Sequence, residues 1–250
     1  ATLHAWRAAG ERIGFVPTMG NIHEGHLRLI DAARRQATRV VVSVFVNPTQ
    51  FDRADDFERY PRTLEADARA LAGRGADVLF LPEVSTLYPH GLDLAAYIEP
   101  THSAQPLEGE FRPGHFRGMA TVVTKLLNLV QPDCAVFGEK DYQQLLVVKR
   151  MAADLSLPLA ILPSPTIREP DGLAMSSRNR FLSPEERRKA PLLHRVLQDC
   201  AASYRSGGAM ETALRHGGED LAQAGFEVDY LEARDAETLA PAIDGRPLRL

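Results

Sequence analysis

Cysteine is almost missing from this chain, in which Cys134 and Cys200 are the only two among 250 residues. Two cysteines exclude a disulfide framework and favour a reducing compartment. The sequence also shows no secretory signal peptide and no apolar run near the roughly 18 residues that a membrane helix requires. We therefore expect a cytoplasmic protein that has no membrane partner.

Excess charge is missing as well, since the net charge is -4 and the isoelectric point is about 6.1. Such a chain lacks the broad basic surface that binds nucleic acid, and we expect no nucleic-acid partner. A small anionic ligand is not excluded, because a local site does not follow the net charge. With 44% hydrophobic and 25% charged residues, the chain can bury a core without disulfides or metal.

Several common catalytic motifs are missing too. The sequence contains neither the G-x-x-x-x-G-K-[ST] phosphate loop nor the G-x-G-x-x-G dinucleotide fingerprint, and no G-x-S-x-G nucleophile elbow. No H-E-x-x-H helix or cysteine pair supplies ligands for zinc, so we expect no metal-ligating residues. These absences exclude the ordinary phosphate-binding loops but not nucleotide chemistry as such.

The chain does contain an alternation of short apolar runs with helical periodicity through its first two-thirds. Strands are predicted at 13–18, 40–47, 77–82, 134–139 and 159–166. Helices are predicted at about 26–38, 61–73, 119–130 and 142–155. This alternation predicts an α/β fold with a Rossmann-like, doubly wound parallel sheet, whose ligands bind beyond the carboxyl ends of the strands.

The pattern changes after about Ile167. A Ser-Pro-Glu-Glu helix start at 183–186, a helix at about 211–224 and a strand at 227–235 predict a second, smaller α+β C-terminal domain. We therefore predict a Rossmann-like domain at 1–167 and a smaller domain at 168–250. Residues 83–115 are rich in Pro, Gly and His and are predicted to form a long functional excursion. Both ends of the chain look abrupt, and we expect either end to be trimmed or disordered.

Two histidines lie where the first predicted strand gives way to a helix, in the segment His23-Glu24-Gly25-His26. The free backbone N–H groups and the dipole of a helix start favour an anion, and Gly20 and Gly25 allow its close approach. Imidazoles can also donate to phosphate oxygens. A turn with a capping histidine would explain any one of these residues, but the whole group favours an anion site.

A second junction of a strand with a helix, at 137–145, carries Lys140, Asp141 and Gln144. Lys140 is a compact charge suited to phosphate, and Asp141 suits either ribose hydroxyls or a helix start. Gln144 lies one turn into the helix, where it can face the same crevice. The alternative for Lys140 and Asp141 is a solvated, charged loop.

Two further segments carry polar candidates. After the second strand, an Asn-Pro turn accounts for Asn47, which leaves Gln50 as the candidate for a small polar ligand. Near the predicted domain boundary, Ser176, Ser177 and Arg178 suit a phosphate clamp on a closing loop, with a polar linker as the alternative. Four residues in or just after the excursion are candidates to line a pocket: Tyr88, Pro89, His115 and Arg117.

Five segments occur in a specific order: PTMGNIHEGH, FVNPTQF, RPGHFRGMATVV, FGEKDYQQ and REPDGLAMSSRN. Together they resemble the pantoate–β-alanine ligase (pantothenate synthetase) family of the HIGH/KMSKS adenylyl-transfer superfamily. The resemblance runs from about Gly14 to Arg180 and more loosely to the end. No single segment is decisive, but five in order are highly specific.

The resemblance implies roles for individual residues. Those implied to bind ATP are Met19, Gly20, Asn21, Ile22, His23, Glu24, Gly25, His26, Gly138, Glu139, Lys140, Asp141, Ile167, Met175, Ser176, Ser177 and Arg178. His26 is implied to be the proton donor at the transferring phosphate, and His23, Lys140 and Arg178 share the catalytic set. Gln50 and Gln144 are implied to hold pantoate, with Gln50 also touching β-alanine.

The activity that the resemblance implies is an ATP-dependent ligation. Pantoate attacks the α-phosphate of ATP and releases pyrophosphate, and β-alanine then displaces AMP from the pantoyl adenylate to give pantothenate. ATP is thus implied as a substrate, with Mg²⁺ bridging its phosphate oxygens. A homodimer through the first domain is also implied, with the smaller C-terminal domain as a lid.

Two departures and three alternatives accompany this resemblance. The segment LAMSSR lacks the lysine of the superfamily's second signature, so Arg178 and Lys140 must supply positive charge. We also expect this sequence to lack the last strands usual in the family. A related nucleotidylyltransferase, a tRNA-charging enzyme and a regulatory nucleotide-binding protein remain alternatives. The glutamines count against the nucleotidylyltransferase, and the small acidic chain counts against the tRNA-charging enzyme. The retained catalytic residues count against the regulatory protein.

Overall fold

The structure is a computed structural model that describes residues 2–51, 54–243 and 245–250. The chain divides into two compact units, Ala1–Ile167 and Arg168–Leu250. The helices of the first unit are α1 (Thr2–Ala8), α2 (Glu24–Arg34), α3 (Ala54–Arg59), α4 (Leu64–Gly73), α5 (Val84–Leu87), α6 (Glu108–Phe111), α7 (His115–Val130) and α8 (Tyr142–Asp154). Its strands are β1 (Ile13–Thr18), β2 (Arg39–Val44), β3 (Val78–Phe80), β4 (Cys134–Gly138) and β5 (Ala160–Ser164).

The strands form one parallel sheet in the order β3-β2-β1-β4-β5. Strand β1 is central: Gly14 pairs with Val40 of β2 on one side and with Cys134 of β4 on the other. The chain builds outward from β1 through β2 to β3 and then returns to place β4 beside β1. Strand order therefore reverses between β1 and β4, and such a reversal opens a crevice beyond the carboxyl ends of the two strands.

Neighbouring residues of β1 enter different hydrophobic cores. Phe15 packs in a cluster with Leu127 of α7, whereas Val16 packs in a cluster with Ile30 of α2 and Leu71 of α4. Successive side chains of a strand point to opposite faces, so helices cover the sheet on both sides. This arrangement confirms the predicted doubly wound α/β fold.

Some predicted boundaries are wrong for identifiable reasons. Strand β2 ends at Val44 rather than at 47, because Pro48 has no N–H for a central ladder and Asn47 instead caps a 3₁₀ turn at Pro48–Gln50. Helix α2 spans Glu24–Arg34 rather than 26–38, and α7 begins at His115 rather than at 119. The excursion also contains the short helices α5 and α6.

The second unit contains helices α9 (Pro184–Lys189), α10 (Leu192–Arg205) and α11 (Met210–Gln223), and strands β6 (Arg234–Asp235) and β7 (Leu248–Arg249). Ser183 and Glu186 form the capping box that the Ser-Pro-Glu-Glu start predicts. The predicted strand at 227–235 is wrong except for its last two residues, which pair antiparallel with β7. Asp235 then accepts hydrogen bonds from the amides of Glu237 and Thr238, which turns the chain away from the ladder. None of the described helices is both long and apolar enough to cross a membrane.

Helix α7 lies directly against the turn at Pro48–Gln50, and Gly118 makes this approach possible. A Cβ built on Gly118 would lie 2.1 Å from the carbonyl oxygen of Thr49 and 2.8 Å from the amide nitrogen of Gln50. The carbonyl oxygen of Gly118 also accepts a hydrogen bond from Nδ2 of Asn47 at 3.2 Å. A larger residue at 118 therefore has to displace the turn that carries Gln50.

We expect Gly118→Ala to lower the free energy of unfolding by about 1–3 kcal/mol, the usual cost of overpacking. Gly218→Ala is the matched control, because Gly218 lies within helix α11 and a Cβ there would meet nothing within 4 Å. The control should be neutral or up to about 1 kcal/mol more stable, since alanine favours helix. Urea unfolding compares the two, and equal changes would contradict the packing argument.

Candidate active site

The turn that follows β1 contains two residues with left-handed backbone and is held by hydrogen bonds of the Thr18 side chain. Gly20 and Asn21 have φ angles of 84° and 51°. Oγ1 of Thr18 donates to the carbonyl oxygen of Ser43 at 2.8 Å and accepts from the amide of Gly20 at 3.2 Å. The chain thus leaves the strand sharply, and helix α2 begins at Glu24, beside the crevice between β1 and β4.

Asp67 of α4 also holds this turn, and the sequence interpretation missed it. Its carboxylate accepts hydrogen bonds from the amides of Asn21 at 2.9 Å and Ile22 at 2.8 Å, and from Oγ1 of Thr63 at 2.9 Å. The residue is buried, with 3% exposure. A signal was present in the sequence, because Asp67 lies four residues before the buried Leu71 and thus on the apolar face of the helix.

The two histidines of the first motif lie against each other at the start of α2. Their ring centroids are 4.0 Å apart, and the rings are tilted by 35°. Nδ1 of His26 accepts a hydrogen bond from the amide of His23 at 3.3 Å, which assigns the ring proton of His26 to Nε2. Nδ1 of His23 is buried and has no hydrogen-bond partner within the described part of the chain. A buried ring nitrogen without a partner at a helix start is available to a water or to a ligand group.

Both histidines are neutral near pH 7. Burial lowers the pKa of His26 to about 3, with further lowering by His23 and Lys140 and an opposing effect of Asp141. Burial also lowers the pKa of His23, with a smaller contribution from Lys140. The pair therefore offers hydrogen-bond donors and acceptors to a ligand rather than positive charge.

The second motif lies beside the first, because β1 and β4 are neighbours in the sheet and the charges at 140 and 141 act on His26. Gly138 ends β4, and Glu139–Asp141 forms a 3₁₀ turn that leads into α8. Nζ of Lys140 pairs with Oδ1 of Asp141 at 3.1 Å on the surface. Lys140 and Asp141 are thus each other's partners, and an arriving phosphate or ribose would have to replace one of them.

The backbone amides of Glu24 and Gly25 are the donors left at the helix start. Among the described residues they have no hydrogen-bond partner, whereas the amides of Asn21 and Ile22 are taken by Asp67. The carboxylate of Glu24 pairs with Arg28 at 2.9 Å and with Arg74 at 3.1 Å. Only the backbone of Glu24 is therefore available to an anion.

Asn47 does more than form a turn. It is fully buried, and its Nδ2 donates to Oε1 of Gln50 at 3.2 Å, while its Oδ1 accepts from the hydroxyl of Tyr88 at 2.9 Å. Nε2 of Gln50 in turn donates to Sδ of Met19 at 3.3 Å, which joins this segment to the first motif. Nδ1 of His115 lies 2.8 Å from the carbonyl oxygen of Gln50. Asn47 thus fixes which end of the Gln50 amide is free to meet a ligand.

The structure separates the four candidates of the excursion. Tyr88 and His115 contact the Asn47 and Gln50 segment. Arg117 instead forms an ion pair with Glu99, and Pro89 is exposed. The first two therefore belong to the neighbourhood of Gln50.

The two adjacent glutamines of α8 have different surroundings. Gln143 is buried: its Nε2 donates to the carbonyl oxygens of Ser103 at 2.9 Å and Pro106 at 2.6 Å, and its Oε1 accepts from the amide of Glu108 at 3.2 Å. Gln144 is half-buried and has no hydrogen-bond partner within the described ranges. Gln143 therefore holds the excursion, whereas Gln144 is available to a ligand.

The remaining candidates occupy two places. Ile167 follows β5 at the end of the first unit. In the second unit, Ser176 caps a 3₁₀ turn by accepting a hydrogen bond from the amide of Arg178 at 3.3 Å, Ser177 is buried and Arg178 is exposed. The grouping of Met175, Ser176, Ser177 and Arg178 with the first unit's residues stays a prediction.

A parallel sheet with a His-x-Gly-His turn where strand order reverses, and a lysine-bearing turn on the adjacent strand, defines an α/β protein of the nucleotidylyltransferase type. The sequence matches the pantoate-beta-alanine ligase family over residues 1–249. The pantothenate synthetase of Chromohalobacter salexigens is 54% identical over 96% of this chain and 84% of its own, and that of Thioalkalivibrio sulfidiphilus is 52% identical with the same coverages.

Solved structures agree with this match. The pantothenate synthetase from Thermus thermophilus has a TM-score of 0.89 at 50% identity, covering 96% of this chain and 88% of that one. The pantoate-beta-alanine ligase from Francisella tularensis, complexed with beta-gamma ATP and β-alanine, has a TM-score of 0.77 at 36% identity, with 92% and 87% covered. The chain belongs to the pantoate–β-alanine ligase family, as its five motifs predict.

The low pKa of His26 makes stability depend on pH. Between about pH 6.5 and 3 the unfolded chain binds a proton at His26 that the folded chain excludes, so stability falls as the pH falls through this window. Within this window, each pH unit of acidification should lower the free energy of unfolding of the wild type by about 1 kcal/mol relative to that of His26→Gln. Denaturant titrations from pH 7 to 4 measure this, with the exposed His90→Gln as control. Parallel pH profiles of wild type and His26→Gln would contradict the assigned pKa.

Proposed function

We propose that this protein is an ATP-dependent ligase that condenses pantoate with β-alanine to pantothenate and releases AMP and pyrophosphate. The observation that carries the proposal is the pair of neutral histidines at the reversal of strand order, beside the turn that holds Lys140. Membership of the pantoate–β-alanine ligase family supports it, as does the relative complexed with beta-gamma ATP and β-alanine.

In the first step, a carboxylate oxygen of pantoate bonds to the α-phosphorus of ATP while the bond to pyrophosphate breaks. Such a transfer needs positioning and charge stabilisation more than covalent catalysis. The hydrogen-bond donors to the phosphate oxygens are assigned to Nε2–H of His26 and the amides of Glu24 and Gly25. Lys140 leaves its ion pair with Asp141 and pairs with a phosphate instead. His26 starts neutral and donates a hydrogen bond. The negative charge of the phosphates then raises its pKa, which favours the protonated ring that the resemblance implies as proton donor.

In the second step, the amine of β-alanine bonds to the acyl carbon of the adenylate. The bond from that carbon to the phosphate oxygen breaks, AMP leaves with the electron pair, and the nitrogen loses a proton as the amide forms. We assign pantoate to Gln50 and Gln144, with β-alanine beside Gln50. Asn47 donates to Oε1 of Gln50, and one N–H of its NH₂ group donates to Sδ of Met19. The second N–H of that group is left for the hydroxyl and carboxylate oxygens of pantoate.

Mg²⁺ is proposed to bind together with ATP. In the part of the chain that the structure describes, no group of three or more His, Cys, Asp or Glu side chains is arranged to hold a metal ion. A Mg²⁺ ion that arrives with a nucleotide would be held mainly by substrate phosphates and water and would need no dedicated protein ligands. When bound there, the ion neutralises charge on the phosphate oxygens.

The second unit and the assembly are proposed from the resemblance. We assign Ile167 to the adenine and Met175, Ser176, Ser177 and Arg178 to the nucleotide, with 1–167 as the domain for ATP and pantoate and 168–250 as its lid. If Arg178 binds the nucleotide, Arg178→Ala should weaken ATP binding.

We also propose a homodimer. A mass of 27.5 kDa, that of one chain, measured by sedimentation equilibrium would refute it. The cytoplasm suits Cys134 and Cys200, which are both buried and unpaired.

Product analysis tests the activity. With ATP and Mg²⁺ we expect AMP and pyrophosphate in equal amounts under turnover only when pantoate and β-alanine are both supplied. Formation of ADP would refute the ligase, and a stable adenylylated product that needs no amine would favour the nucleotidylyltransferase. His26→Ala should lower the rate by about 100-fold or more while the protein stays folded, whereas His90→Ala should not change it.

The neighbouring glutamines of α8 provide a matched pair for the pantoate site. Gln144→Leu should raise the KM for pantoate by about tenfold, because one neutral hydrogen bond is lost, and should leave stability nearly unchanged. Gln143→Leu removes three internal hydrogen bonds and should lower the melting temperature instead. Initial rates and thermal unfolding of both variants decide this, and the reverse result would exchange the two roles.

A further inference from the structure

We propose that Asp67 is a positioning residue that sets the geometry of the phosphate-binding turn through the amides of Asn21 and Ile22. The inference deepens the proposed function and rests on it. Asp67 lies on α4, far from the motifs in sequence, and its carboxylate receives three hydrogen bonds of 2.8–2.9 Å. No lysine or arginine among the described residues lies within ion-pair distance of it. The carboxylate is thus satisfied by dipoles from the turn and Thr63 rather than by a cation.

The turn and the carboxylate determine each other's positions. Two consecutive amides reach one carboxylate because Gly20 and Asn21 both have positive φ angles, a backbone conformation that Gly and Asn adopt more readily than other residues. A Cβ at Gly20 would lie 3.0 Å from Oδ2 of Asp67 and 3.0 Å from Cγ1 of Val44. The turn is therefore fixed between α4 and the end of β2, which places His23 and the start of α2 at the crevice.

This use of the amides has a consequence for the ligand. Since Asp67 takes the amides of Asn21 and Ile22, a phosphate has to use the amides of Glu24 and Gly25 and the ring of His26. A buried carboxylate so near the site repels ATP, so electrostatics alone predicts tighter ATP binding when its charge is removed. A positioning role predicts the opposite, because the donors at the helix start lose their places. The sign of the change in ATP affinity separates the two.

The test is Asp67→Asn, which keeps the size of the side chain but replaces one acceptor oxygen by a donor. Glu65→Gln is the matched control: it removes the same charge on the same helix, from a side chain that is 93% exposed. We expect Asp67→Asn to raise the ATP dissociation constant about tenfold or more, and to lower kcat by about 100-fold if the reacting groups move by about 1 Å. The control should change neither. Unchanged or tighter ATP binding by folded Asp67→Asn would overturn the proposal.

A measurement on the wild type keeps the proposal testable if the variant does not fold. In NMR spectra, the amides of Asn21 and Ile22 should exchange slowly and shift little when ATP is added, while those of Glu24 and Gly25 shift strongly. Large shifts of the amides of Asn21 and Ile22 on ATP addition would show that they bind phosphate and would refute the role of Asp67. Binding and amide shifts need no pantoate turnover, so failure of the proposed ligation is distinguished from failure of this inference.

Discussion

The reversal of strand order at β1 is the constraint on which the site depends. Because β1 is hydrogen-bonded to β2 on one side and β4 on the other, its carboxyl end is where helices leave the sheet in different directions. The chain uses this point twice, first for the turn that leads to His23 and His26 and again for the turn that carries Lys140. Residues more than 100 positions apart thus become neighbours through the sheet alone.

Buried polar side chains then refine what the sheet positions. Asp67 and Asn47 are not on the sheet, yet each holds a turn that leaves the end of a strand. Asp67 accepts from two amides of the turn after β1, and Asn47 joins Gln50 of the turn after β2 to Gly118 of α7. A buried polar group is costly when it is unsatisfied, so each of these side chains favours one arrangement of its turn over the alternatives. Gly118 adds a packing constraint at the same turn as Asn47. Helices α4 and α7, which carry Asp67 and Gly118, therefore shape the site through its turns.

The fold was predictable because β-branched and apolar runs at 13–18 and 40–47 leave little choice but buried parallel strands. The ends of those runs were less predictable. Pro48 ends β2 because it lacks an N–H, and Asn47 makes hydrogen bonds to Gln50 and Gly118, neither of which hydrophobic periodicity contains. The strand at 227–235 failed because a strand exists only where a partner lies beside it, and β7 reaches only its last two residues.

The site was predictable where motifs are contiguous, as at His23 to His26 and at Lys140. It was much less predictable at Asp67 and Gln143, because the backbone groups that they bind lie 35–46 positions away in the chain. A carboxylate within a helix is ordinarily solvated. Only the position of Asp67 four residues before the buried Leu71 distinguishes it from such a solvated residue. Asn47 was explained by its turn alone, because its contact with Gly118 is visible only in three dimensions.

The neutrality of His23 and His26 has a consequence for the heat of nucleotide binding. A phosphate chain beside these rings favours their charged forms, so ATP binding takes up protons from solution wherever it raises the pKa of a ring to the working pH. Those protons come from the buffer, whose ionisation enthalpy then enters the measured heat. We therefore expect the measured enthalpy of ATP binding to depend on the buffer. The affinity for ATP should also fall as the solution becomes more alkaline.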